Sequence, residues 1–306
     1  MNILKSNTVT ILLSTYNGEK YLVEQIESLI AQKDVEVNIL VRDDGSTDAT
    51  KKILSKYEKF GLIKWYTGKK LGPAYSFIDL IHKAPISDYY AFCDQDDIWL
   101  ENKLSKSISA IKSKKVPCAY FSSKTLVNCD LKRMPYSDNQ FEESDISLST
   151  ILFRSIASGC TITFNHELKD ILDIYKPNYI QMHDSWVILL AKIFGEVIYD
   201  KESNILYRIH EKNAVGVPST KNLLIKRIRA FRKDVSSHSR SRTASEILTG
   251  YGNLIFDDEK LELIKNIADS RKKIKPRFVL INSRYKFAPT TISNLVIRVK
   301  IILGWV

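Results

Sequence analysis

Three carboxylates fall within four residues at Asp94-Gln95-Asp96-Asp97, directly after the apolar run Tyr89-Tyr90-Ala91-Phe92-Cys93. Like charges this close raise one another's pKa, so such a cluster either holds a cation or faces open water. In extended backbone, alternation turns Asp94 and Asp96 to one face and Gln95 and Asp97 to the other. Two carboxylates on one side suit a hard divalent ion with oxygen ligands, Mg²⁺ or Mn²⁺, completed by water and a substrate phosphate. The competing reading is a solvated acidic turn capping a helix that starts near Trp99, with Asp97 as N-cap. Two more acidic stretches stand out. Asp43-Asp44-Gly45-Ser46 closes another apolar run, and Met182-His183-Asp184-Ser185-Trp186 opens a helical pattern. Either one is also explained as a turn or helix cap, because Asp, Ser and Thr satisfy free backbone N–H groups there.

The elements that must position these residues alternate in type. Val9 to Ser14 is an apolar run of strand length, followed by the turn Thr15-Tyr16-Asn17-Gly18 and a helix with Tyr21, Leu22, Ile26, Leu29 and Ile30 on one face. Val35 to Val41 reads as a second strand, with Ile53, Leu54 and Tyr57 marking the next helix. Leu62 to Tyr66 gives a short third strand, Gly72-Pro73 starts a helix through Phe77, Leu80 and Ile81, and Tyr89 to Cys93 is the fourth strand. This alternation predicts an α/β fold with right-handed crossovers and a mostly parallel central sheet flanked by helices. Ligands of such sheets bind beyond the carboxyl ends of the strands, where Thr15-Tyr16-Asn17, Asp43-Asp44 and Asp94-Gln95-Asp96 all lie. Glycine-rich dinucleotide and P-loop cradles are absent, so a phosphate here must be held by metal and side chains. Farther on, Cys118 to Val127 reads as a strand, Asn128 to Ser149 as a polar connection, and Ser158 to Phe164 as a small-residue strand with Gly159 at a bulge. Asn204 to His210 is a strand ending in Arg208 and His210, before the polar loop Glu211 to Gly216.

The 306 residues suffice for one large domain with an appendage. Apolar residues make up 44% of the chain and charged residues 26%. That is the composition of a globular protein rather than a disordered one. Cys93, Cys118, Cys129 and Cys160 lack Cys-x-x-Cys spacing and fit free thiols in a reducing compartment. Neither a signal peptide nor an apolar stretch long enough to span a membrane is evident. The net charge of +11 is unevenly placed: residues 218–306 carry 19 basic and 7 acidic residues, and the first 217 are nearly neutral. A neutral first part and a basic tail argue for a domain over 1–217 and a second region over 218–306 that meets something anionic.

Val9 to Asn17, Val41 to Asp48 and Phe92 to Trp99, in that order and spacing, resemble the successive signatures of family 2 glycosyltransferases, which have the GT-A nucleotide-sugar-binding fold. The Asp-Gln-Asp-Asp-Ile-Trp wording is most similar to their rhamnosyltransferase-like members, and the resemblance covers about residues 7–216. It implies that Thr15, Tyr16, Asn17, Glu19 and Asp43 or Asp44 line the base and ribose site. Asp94 would approach the ribose or the metal, and Asp96 would ligate Mn²⁺ or Mg²⁺. It places the catalytic base at Asp184, since inverting transfer needs a carboxylate that takes the proton of the attacking hydroxyl. His183 ranks below Asp184. Arg208 would pair with the diphosphate or stay a solvated surface residue, and His210 would bind metal or phosphate as the loop closes. The implied donor is dTDP-rhamnose, with a uridine diphosphate hexose as the nearest alternative and a non-catalytic nucleotide-sugar sensor as a different class. The implied acceptor is a lipid-linked glycan.

In the tail, Leu223, Leu224, Ile225, Ile228 and Phe231 alternate with basic residues at helical spacing. Ile292, Leu295, Val296, Val299, Ile302 and Leu303 repeat the pattern with Arg298 and Lys300. These stripes suit an anionic membrane surface at the cytoplasmic face, or packing on the domain or on a second copy of the chain. Ser236 to Arg242 reads as a linker between them. Nothing in the tail resembles a known nucleic-acid module, so a nucleic-acid partner is not expected.

Overall fold

A computed structural model of the protein describes residues 6–135, 146–210 and 237–306. The loop after His210 and the helix expected around Leu223 to Phe231 lie outside the described residues. The chain opens as the apolar pattern dictates: β1 (Thr8–Thr15), α1 (Leu22–Ile30), β2 (Glu36–Asp43), α2 (Thr50–Lys59), β3 (Lys64–Thr67), α3 (Gly72–Lys83) and β4 (Tyr89–Cys93). β1 lies between β2 and β4, parallel to both, and β3 runs parallel to β2 at the edge. Strands covered on both faces read as continuous apolar runs. β1 is one of these, with Val9, Ile11 and Leu13 facing the main core and Leu12 fully buried as well.

After β4 come β5 (Ile98–Trp99), α4 (Lys103–Ile111), β6 (Cys118–Val127), α5 (Leu148–Phe153), β7 (Thr163–Asn165), α6 (His166–Ile174), α7 (His183–Phe194) and β8 (Glu196–Arg208). The strands form one eight-stranded sheet in the order β3-β2-β1-β4-β7-β6-β8-β5. The second half is mixed rather than parallel. β7 runs antiparallel to β4 and β6, β8 is parallel to β6, and β5 is antiparallel to β8. β4 and β5 stand four places apart in this order. Across a flat sheet that separation would be roughly 19 Å. The peptide link from Cys93 to Ile98 is too short for it, because its extended reach is about 18 Å at most. The sheet therefore curls, and the acidic stretch is the short link that closes it.

Three local expectations change. The helix placed near Trp99 starts at Lys103, because Trp99 instead pairs with β8 and donates its N–H to Ser28 Oγ of α1 at 3.1 Å. Of the Ser158 to Phe164 stretch only Thr163 and Phe164 are in a strand, β7; Gly159–Thr161 forms a 3-10 turn. The Ser239 to Arg242 part of the expected linker is the first turn of α8 (Ser239–Tyr251), held by Arg240 on Gln181 Oε1 at 2.7 Å and Arg242 over the Tyr179 ring.

The described residues divide into two compact units. One comprises residues up to 135, 157–174 and 182–210; the other takes 146–156, 175–181 and 237–306. The second unit continues through α9 (Asp258–Asp269), α10 (Ile274–Asn282) and α11 (Thr291–Ile302). Its two earlier segments are tied in by Ser149 Oγ donating to Lys286 O at 2.8 Å and Tyr175 donating to Glu246 at 2.8 Å.

Candidate active site

Beyond Cys93 the backbone leaves the extended conformation, so the period of two fails. Asp94 gathers with Asp97 and Cys160, whose ligand atoms all lie within 4.8 Å of one another, and Asp96 turns instead to His210, 2.7 Å away. Gln95 joins the acidic link to the loop after β1: its Oε1 accepts from Thr15 Oγ1 at 2.6 Å and Tyr16 N at 2.9 Å. Gly18 leaves room for it, since a Cβ there would overlap that oxygen.

An open cleft of about 840 Å³ lies here, lined by Tyr16, Asn17, Gly18, Lys20, Tyr21, Gln95, Asp96, Cys129, Ile209 and His210. That volume accommodates a sizeable small-molecule ligand. Of the residues singled out in the sequence, Tyr16, Asn17, Asp96 and His210 border this cleft. The others stand behind it. Thr15 holds Gln95, and Glu19 accepts from Ala49 N at 2.8 Å at the start of α2. Asp43 accepts from the N–H groups of Gly45 and Ser46, and Asp44 is bonded to Arg42 Nη1 at 2.6 Å and to the amides of Leu71 and Gly72. Arg208 is only 2% exposed, and its groups are fully committed to protein. Its N–H meets Asp97 Oδ1, its guanidinium bonds Asp96 O, Cys129 O and the Glu24 carboxylate, and it stacks over Tyr21. In this geometry it braces the acidic link rather than facing a diphosphate.

Burial disfavours the charged form of a carboxyl. It raises Asp94, Asp96 and Asp97 above the ordinary carboxylate range. Asp94 is raised further by Asp96 and Asp184, which puts the candidate base in the same electrostatic neighbourhood. Asp97 Oδ2 is buried without an N–H or O–H partner. Repelling, buried carboxyls with an orphaned oxygen fit a divalent cation, and the predominance of oxygen donors favours Mg²⁺ or Mn²⁺.

Asp184 stands in the first turn of α7 and is nearly buried, with Oδ1 accepting from Ser185 N at 2.5 Å. Burial lifts its carboxyl, and the Ser185 amide and Lys124 partly offset the rise. His183 beside it is a packing residue. Its ring stacks on Phe77 at 3.9 Å, meets Phe92 edge-on, finds no hydrogen-bond partner, and is held neutral by burial with its pKa down to about 3. Gly159 makes room for that ring, since a Cβ would press against Nε2.

Lys124 is the residue that sequence reasoning missed. From β6 its ammonium donates to Ser158 Oγ at 2.6 Å, lies 4.2 Å from the centre of the Tyr207 ring, and lowers both Asp94 and Asp184. The available signal was a lysine inside the otherwise uncharged strand Cys118 to Val127.

Residues 10–157 match the family model for glycosyl transferase family 2. A dTDP-rhamnosyl transferase of Shigella flexneri, RfbG, is 30% identical over 269 residues, 80% of this chain and 91% of that protein. The chain belongs to glycosyl transferase family 2. A putative teichuronic acid biosynthesis glycosyltransferase of Bacillus subtilis, TuaG, is 27% identical over 61% of the chain and 73% of its own length. Among solved structures, S. aureus TarS 1–349 in complex with UDP-GlcNAc superposes with a TM-score of 0.61 at 18% identity, covering 96% of this chain and 81% of that one. The mannosyltransferase PcManGT of Pyrobaculum calidifontis, in complex with GDP-Man and Mn²⁺, gives 0.53 at 14% identity, covering 98% and 86%. The GT-A fold of this family 2 glycosyltransferase thus accounts for the parallel half-sheet and for the position of the cleft at its carboxyl end.

Proposed function

We propose that the chain transfers a sugar, with inversion, from a nucleoside diphosphate donor to a hydroxyl group. L-Rhamnose from dTDP-rhamnose is the favoured donor, and a lipid-linked or cell-surface polysaccharide is the acceptor. Residues 1–217 form the catalytic domain, and the basic 218–306 region keeps the enzyme at the cytoplasmic face of the membrane. One observation carries the transfer chemistry: Asp184 and Asp94 share one field with Lys124 between them in charge, beside a cleft edged by Tyr16, Asn17, Asp96 and His210. Tyr16 and Asn17 receive the base and ribose. Asp184, raised by burial, is a strong enough base to take the hydroxyl proton as its oxygen attacks the anomeric carbon. A divalent cation held at the Asp94 to Asp97 link, by Asp94 with the orphaned Asp97 oxygen and by Asp96 if it leaves His210, would neutralise charge on the departing diphosphate. The donor sugar rests on the dTDP-rhamnosyl transferase relative and on the Asp94 to Trp99 motif. A uridine diphosphate hexose is the second reading, favoured by the UDP-GlcNAc complex of the TarS neighbour.

The test is nucleoside diphosphate release from a panel of thymidine and uridine diphosphate sugars, with Mn²⁺, Mg²⁺ or chelator. Selective, metal-dependent release that Asp184→Asn abolishes is expected. Tight donor binding without turnover, even with acceptor glycans added, would convert the assignment to a nucleotide-sugar sensor.

A further inference from the structure

Helix α11 is turned the unusual way round. Ile292, Leu295, Val296, Val299, Ile302 and Leu303 have the spacing of a stripe that a globular protein buries. Here all six are exposed, from 45% at Val299 to 78% at Ile292. Polar contacts on the opposite side fix this rotation. Asn294 Oδ1 accepts from Phe287 N at 2.8 Å, Arg298 donates to the carbonyls of Ile281, Ser283 and Tyr285, and Ile301 is fully buried. Helix α10, packed against α11, adds Ile274 and Phe278, 66% and 57% exposed.

The charge of the same segment is one-sided. Residues 271–306 contain nine basic residues and no acidic one. Arg277 and Arg298 are committed to backbone carbonyls and Lys273 pairs with Asp269, whereas Arg271, Lys272, Lys275, Arg284 and Lys286 are exposed. A second copy of the chain seated on this face would bring like charges together. A bilayer with anionic headgroups offers hydrocarbon for the stripe and negative charge for its surroundings. Trp305, 36% exposed at the end of α11, is of a type enriched at membrane interfaces. Among the described residues no helix is long and apolar enough to cross a membrane, which fits lying in its plane.

We propose that α10 and α11 form one docking surface for an anionic phospholipid bilayer, with the apolar stripe at the acyl boundary and the cations of 271–286 against the headgroups. The proposal deepens the membrane-side reading above but stands on surface chemistry alone.

The full-length chain is sedimented with phosphatidylcholine vesicles, with and without phosphatidylglycerol, alongside an Ile292→Ser/Leu295→Ser/Val299→Ser variant. The substituted side chains are already in solvent, so circular dichroism and donor hydrolysis in solution should stay unchanged. Binding at least about tenfold tighter to anionic vesicles, weakened by salt and lost at least tenfold in the variant, is expected. Equal binding to both vesicle types, no binding, or an unaffected variant overturns the proposal. So does concentration-dependent self-association without vesicles that the substitutions abolish. Vesicle binding without sugar transfer sinks only the catalytic reading; transfer without vesicle binding sinks this proposal and the membrane role of residues 218–306 on which it rests, and leaves the catalytic reading standing.

Discussion

Two acidic motifs end strands separated only by β1, and they have opposite fates. At the end of β2, Asp44 is surrounded by donors. Burial opposes its ionisation, but Arg42 and the amides of Leu71 and Gly72 outweigh burial and hold its carboxyl below the ordinary range. Arg42 is itself fully buried, bonded to Asp44, Asp79, Ser76 and Lys69 O. At the end of β4, burial is only partly offset, by Lys124 at Asp94, His210 at Asp96 and the Arg208 amide at Asp97. Asp94, Asp96 and Asp97 are all raised, and they repel one another. The same residue type thus builds framework where the protein's counter-charge outweighs burial, and stays raised where it does not.

The comparison breaks or sharpens under substitution. The largest effect is expected at Asp184→Asn and Asp96→Asn, each lowering turnover by about a thousandfold. Their melting temperatures should hold or rise, because each removes a buried charge; an unfolded variant would place these acids with the framework. Arg42→Met should do the reverse. Leaving Asp44 and Asp79 without their buried partner costs about 3–5 kcal/mol in urea unfolding, with turnover per folded molecule retained.

His183 extends the framework side to a titratable ring. Its folded pKa of about 3 lies below the ordinary 6.5, so as pH falls through 6.5 the unfolded chain takes up a proton that the folded chain refuses. Its stabilising contribution is full above that value and is lost as pH drops toward 3. By proton linkage the loss reaches about 2 kcal/mol near pH 5. His183→Phe should flatten the unfolding free energy between neutral pH and pH 5 by that amount. The smallest effect is expected at Lys124→Met. Lys124 lowers Asp184, so its loss should move the acid limb of the pH–rate profile upward. Turnover should recover at higher pH, and Lys124→Arg should restore the limb.

Much of the fold was legible because β1 and β4 are apolar runs buried along nearly their whole length, and β2 and β6 each carry a buried apolar stretch. The motif positions at strand ends followed from that. The middle of β8 was not legible, since Tyr199-Asp200-Lys201-Glu202-Ser203 is largely polar and joins the strand through a register-shifted pairing with β6. Arg208 looked like an exposed strand end because nothing local reveals Glu24, 184 residues away. Gln95 was assigned to the far face of an extended segment, and curling of the sheet made it the clip between two loops.

The strand order also has a temporal side. β1 to β4 lie within the first 93 residues and can pair as the chain emerges, whereas the N–H that meets Asp97 belongs to Arg208, 111 residues later, and His210 reaches Asp96 across 114. Contacts that close such long loops form late. The parallel half-sheet is therefore laid down first with its acidic link still open, and the cleft is completed only when β8 docks.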